Sequence, residues 1–146
     1  MMNLIIGSHV SYKKNDQLVG SVKEAISYGA NTFMFYTGAP QNTRRDSIDM
    51  NLVEEAKRLM SENNIDINNV ICHAPYIINL ANREKEEAWN FSISFLKQEI
   101  NRITQMGVGY IVVHPGNSLK IERNVALTNI ADAINLIIDD NTKPMI

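Results

Sequence analysis

Met106-Gly107-Val108-Gly109-Tyr110-Ile111-Val112-Val113-His114-Pro115-Gly116 is the stretch that decides the fold of this chain. It leaves a helical pattern at Gly107, enters an unbroken apolar run, and stops at a histidine followed by proline and glycine. A short apolar run bounded by glycine and proline reads as a buried strand of the kind found in parallel sheets covered by helices. The pattern recurs upstream. Tyr28-Gly29-Ala30-Asn31-Thr32-Phe33 also passes from helix through glycine into strand, and Val70-Ile71-Cys72-His73-Ala74-Pro75-Tyr76 again ends an apolar run on a histidine.

Working outward, Leu4-Ile5-Ile6 predicts a first strand, and Leu18, Val22, Ala25 and Ile26 stand at helical spacing before a stop at Gly29. Thr32-Phe33-Met34-Phe35-Tyr36 predicts a second strand that breaks at Gly38 and Pro40, followed by a helix marked by Leu52, Ala56, Leu59 and Met60. Val70-Ile71-Cys72 predicts the third strand. Trp89, Ile93, Leu96, Ile100 and Ile103 recur every three to four residues, so the longest helix is expected from Glu84 to Met106, ended by Gly107. Tyr110 to Val113 predicts a fourth strand. Leu127, Ile130, Ala131, Ile134, Ile137 and Ile138 predict the apolar face of a fourth helix ending near Asp139-Asp140, and Lys143-Pro144-Met145-Ile146 reads as the opening of a fifth strand. Four βα units in series give an α/β fold with a parallel sheet, expected as a single domain over residues 1–146 with no linker.

Composition narrows the function. With 45% hydrophobic and 21% charged residues the chain is neither disordered nor linker-rich. No stretch approaches the roughly 18 apolar residues of a membrane helix. The N-terminus lacks the basic and apolar regions of a secretory signal, and one cysteine cannot form an internal disulfide; a cytoplasmic protein with no membrane partner is expected. A net charge of −2 provides no general electrostatic footprint for nucleic acid, so any DNA contact must be local. Lys13-Lys14 and Arg44-Arg45 are the available basic pairs, read as solvated loop charge.

The strand ends carry the chemistry. Taking the residue where each strand gives way to its loop yields His9, Thr37, His73 and His114, which includes all three histidines of the chain. Parallel α/β folds place their active sites at that end. Any one histidine alone is more often a hydrogen-bonded structural residue, but together neutral imidazoles from adjacent strands suit a zinc-like ion or acid–base work. Pro75 and Pro115 stiffen the loops that begin there. Cys72 faces away from His73 by strand alternation and is expected in the core. Ser8 and Ser11 have no evident base partner, and no glycine-rich phosphate loop is present. Asp46, Asp49, Glu54, Glu55, Glu84, Glu86 and Glu87 fall on helix starts or polar faces, so anionic metal ligands are expected from outside the chain.

Four blocks then carry a family likeness: Gly7-Ser8-His9-Val10-Ser11, Phe35-Tyr36-Thr37-Gly38-Ala39-Pro40-Gln41-Asn42-Thr43-Arg44-Arg45, His73-Ala74-Pro75-Tyr76-Ile77-Ile78-Asn79 and Val113-His114-Pro115-Gly116. Together and in this order they resemble the N-terminal half of bacterial endonuclease IV, the zinc-dependent apurinic/apyrimidinic endonuclease of base-excision repair. The resemblance implies a TIM-type (βα)₈ barrel, here a half-barrel, with three zinc ions at its C-terminal face and cleavage of DNA 5′ to abasic sites. It assigns His73 and His114 as ligands of one zinc, His9 as a neighbour of the cluster, and Tyr76, Ile77 and Gln41 as residues that enter abasic duplex DNA. Gly116 and Asn117 lie in a loop near the site. The remaining ligands of the family fall beyond Ile146, so this polypeptide is expected to hold part of one zinc site and to act weakly or not at all. Two other readings stay open: a metal-dependent sugar isomerase or epimerase on a related barrel, and a non-enzymatic half-barrel that self-associates through its open sheet edge.

Overall fold

The computed structural model describes residues 4–146. Strands β1 (Gly7–His9), β2 (Thr32–Phe35), β3 (Ile71–His73) and β4 (Tyr110–Val112) form one sheet in sequence order, every pairing parallel. Helices α1 (Gln17–Ser27), α2 (Met50–Glu62), α3 (Glu86–Met106) and α4 (Arg123–Ile137) alternate with them, and a 3₁₀ turn at Ile67–Asn69 leads into β3. This is the half-barrel order of four βα units. The opening of a fifth strand is present as well, since Met145 bridges Tyr110 in parallel and its carbonyl accepts from Ile111 N at 2.9 Å.

Strand alternation splits the sheet into unlike faces. Phe33, Phe35, Cys72 and Ile111 are buried against Leu18, Val22, Ala56, Leu96 and Ile103 on the helix side. The opposite face carries His9, Met34, Ile71 and Tyr110 in one register row and His73 beside Val112 in the next. That face is concave and open: Tyr110 and Val112 are exposed, and an apolar cleft of about 510 Å³ runs past Ile5, Met34, Ile71 and Tyr110. The strands therefore bury the helix side of the sheet and leave the other side open.

Besides strand ends that shift by one residue, three features differ from the sequence reading. Leu4-Ile5-Ile6 lies outside the ladder, because the Asn31 side chain takes the place of a strand neighbour: its Oδ1 accepts from Ile6 N at 2.7 Å and its Nδ2 donates to Leu4 O at 2.9 Å. Helix α3 begins at Glu86, placing Glu86 and Glu87 in the first turn where the helix dipole favours them. It ends at Gly107 as predicted, with φ of +83° at the cap. Helix α4 is rotated from its predicted face. Ala126, Asn129, Ala133 and Ile137 turn inward while Leu127, Ala131 and Ile138 stay exposed, since buried Asn129 donates to Ala81 O at 2.9 Å and fixes the helix about its axis. Among the described residues no helix is long and apolar enough to cross a membrane.

Candidate functional site

A parallel sheet gathers all its C-terminal strand ends at one mouth, and the three histidines arrive there from β1, β3 and β4. Tyr36, two residues past Met34, stands between two of them. Its ring lies 4.7 Å from that of His9 and 5.2 Å from that of His73, centroid to centroid. Partial burial and the neighbouring His73 both hold the His9 pKa below its ordinary value, with Glu24 opposing them. Burial raises the phenol of Tyr36.

His73 is oriented by its own backbone. Its Nδ1 lies 2.6 Å from Ala74 O, and since a carbonyl only accepts, Nδ1 is the donor in this contact, which leaves Nε2 as the nitrogen a metal could use. Metal-binding histidines use this arrangement to fix tautomer and ring direction. His114 is exposed beyond β4. Val113 packs against the core on the helix side, and His114 follows it two residues after the end of β4, whose Val112 pairs with His73.

The donor set matches a zinc site in kind and falls short in number. His9 and His73 stand on either side of Tyr36, yet among the described residues no three His, Cys, Asp or Glu side chains converge as a metal cluster. Cys72 is no candidate, being fully buried with its thiol pKa pushed up by that burial. Thr37 leaves the mouth altogether: it is buried on the helix side and donates from Oγ1 to Glu99 Oε2 at 2.6 Å.

Two loops frame the mouth. Tyr76 and Ile77 form the exposed tip of the β3–α3 loop, at 50% and 37% exposure, between Pro75 and Ile78, which are buried. Below the tip, Asn79 N donates to Ser92 Oγ at 3.1 Å and Trp89 Nε1 donates to Leu80 O at 2.9 Å, tying the loop to α3. It is also tied sideways to the loop after β4, because Leu80 N donates to Pro115 O at 2.8 Å and Asn79 Nδ2 to Asn117 O at 3.0 Å. Gln41 is exposed on the β2–α2 loop.

That second loop holds what sequence reasoning missed. Arg45, read as solvated charge, has a side chain 2% exposed and donates from Nε to Glu99 Oε1 at 2.7 Å. Its guanidinium also lies 5.0 Å from the centroid of the Phe95 ring. Arg102 completes the cluster, donating to Thr37 O at 3.2 Å and Asp46 O at 2.8 Å. One cue was available: Glu99 stands three residues after Leu96 and four before Ile103, inside the apolar stripe of α3, where an ionised side chain requires a partner. Arg44, its neighbour, is exposed as read.

Comparison with known proteins places this geometry. The family model described as "Xylose isomerase-like TIM barrel" matches residues 22–143. "Probable endonuclease 4" of Acholeplasma laidlawii is 51% identical over 140 residues, covering 96% of this chain and 47% of that protein. Its counterpart in Ureaplasma urealyticum is 53% identical over 135 residues, covering 92% and 44% respectively. The chain thus spans about half the length of the curated relatives it matches. Among solved structures, endonuclease IV from Thermus thermophilus superposes with a TM-score of 0.74 at 23% identity, over 94% of this chain and 49% of that one. A D-tagatose 3-epimerase-like protein superposes at 0.60 and 14% identity, over 90% and 47%. At these identities both structural matches bear on the fold alone.

Proposed function

The chain belongs to the xylose isomerase-like TIM-barrel family, and from that premise we propose that it forms the N-terminal half of a zinc-dependent endonuclease that cuts DNA 5′ to abasic sites. The observation that carries this reading is that His9 and His73 flank the Tyr36 ring at the C-terminal strand ends, with the exposed Tyr76-Ile77 tip on the loop that follows His73. His73 offers Nε2 and His114 its imidazole as two ligands of one zinc, with His9 beside them and further ligands required to complete the site. Zinc bound there would supply a water acidic enough to act at neutral pH and would offset charge on the phosphate.

The chain's own residues would prepare the DNA. Tyr76 and Ile77 present an aromatic and an aliphatic surface suited to prying apart stacked base pairs, a step that costs least where a base is already missing. Gln41 approaches from the neighbouring loop with an amide that can donate and accept where the missing base leaves groups unpaired. Endonuclease 4 relatives near 50% identity favour this reading over the sugar isomerase, and an isomerase acting on a small polyol has no use for an exposed Tyr76-Ile77 wedge.

The test is zinc content and abasic-site nicking measured together. His73→Ala should lower bound zinc in the purified chain, and nicking of an abasic duplex, where present, should stop on chelation. Unchanged zinc in the variant would sink the ligand assignment, and cleavage that survives chelation would sink the zinc mechanism. The exposed apolar face around Ile5, Tyr110 and Val112 favours self-association as an additional property. Sedimentation velocity tests it: a concentration-independent monomer refutes it.

A further inference from the structure

We propose that Glu99 on α3 is the positioning residue that sets where Gln41 is presented to DNA; this rests on the reading of Gln41 as a lesion-contacting residue. Gln41 stands four residues after Thr37 and four before Arg45. Those two residues are the feet of its loop, and the fully buried Glu99 carboxylate holds both, one on each oxygen. Arg45 then acts inward. Its Nη1 donates to the carbonyls of Ala39, Asn42 and Arg44 at 3.4, 3.2 and 2.8 Å, gathering the backbone on either side of Gln41 around one guanidinium. Arg102, one turn along α3 from Glu99, clamps the same foot at Thr37 through both its side chain and its carbonyl, at 3.2 Å each.

Stability alone does not account for this cluster. Apolar side chains of similar volume commonly replace a buried ion pair at no loss of stability, and here Arg45 Nη2 is buried with no hydrogen-bond partner. What apolar packing would not supply is a fixed distance between two named points of a loop. Gln41 is exposed at the apex of that fixed loop. A side chain held in place beforehand loses less freedom on binding, so the clamp converts directly into preference for the duplex that Gln41 recognises.

The test compares Glu99→Gln, which keeps volume and loses charge, with Arg45→Lys, which keeps charge and loses the fork. Both are made in the whole 146-residue chain, and if one does not fold the other carries the test. In a folded variant, amide exchange over residues 38–44 should quicken by about tenfold or more, a local opening that leaves the rest of the chain unchanged. Binding is read against a duplex with one tetrahydrofuran abasic analogue and against the same duplex intact. The abasic preference should fall to that of Gln41→Ala, and joining Glu99→Gln to Gln41→Ala should lower it no further. A merely structural role would weaken both duplexes alike and leave the ratio in place. Wild-type exchange over 38–44 in the variants, or an additive loss in the double variant, overturns the clamp. A wild-type chain that binds both duplexes equally overturns the lesion reading of Gln41 itself.

Discussion

Gly116 and Asn79 occupy each other's space. Gly116 has φ of +109°, and a Cβ placed on it would collide with Asn79 Oδ1 and lie 2.8 Å from Asn79 Cα. The same Oδ1 accepts from Asn117 N at 3.2 Å and Ala81 N at 3.0 Å. The loops after β3 and β4 are joined at this point, and only glycine permits the approach.

Gly116→Ala should therefore destabilise the chain by about 1–3 kcal/mol from backbone strain, with the collision adding to it. Urea denaturation measures the loss. Asn79→Ala removes the side-chain part of the collision, so the double variant should lose less than the two single losses summed; strict additivity would mean that the contact is not the cause.

Trp89 is the sole tryptophan and its indole N–H donates to Leu80 O beneath the Tyr76-Ile77 tip. Trp89→Phe keeps an aromatic ring but strands that carbonyl, at a cost of about 1–3 kcal/mol. Thermal unfolding should show a lowered midpoint, and exchange at the amides of 76–80 should rise before that of the sheet.

Burial of Cys72 raises its thiol pKa and closes the path to it. A disulfide-exchange reagent at neutral pH should leave the folded chain unlabelled and modify one thiol per chain in denaturant. Rapid labelling of folded protein would contradict its place in the core.

Tyr12 lies close to Phe35 and donates to Gln17 Oε1 at 3.2 Å. Burial, partly opposed by Arg102, pushes its phenol up to about 12. The folded chain thus prefers the protonated phenol, whose contribution to stability is complete below the ordinary value of 10.0 and is lost as pH rises towards about 12. Absorbance titration should show a tyrosine component near pH 12 that is missing in Tyr12→Phe, and that variant should lose less stability across this range.

The fold was legible because it rests on periodicity. The run from Tyr110 to Val113 and the stripe from Trp89 to Ile103 each fit one template, and the three histidines followed from strand ends. The face of α4 was not legible, since Asn129 reaches a carbonyl 48 residues away and outweighs the local apolar count. The Arg45–Glu99 pair escaped for the same reason: Arg45 reads as solvated loop charge because its partner stands 54 residues away, and only the fold desolvates the two together. At the mouth, sequence named the imidazoles and missed the neighbour between them, because Tyr36 looked like one more aromatic in a strand.

The place of Tyr36 between His9 and His73 also makes the mouth observable. An aromatic ring shifts the magnetic resonance of protons held above or beside it, so the imidazole carbon-bound protons of both histidines should resonate away from their free positions. Any occupant that turns either imidazole or displaces the phenol changes those shifts residue by residue. The chain thus carries its own spectroscopic gauge of occupancy, readable without catalysis or an added label.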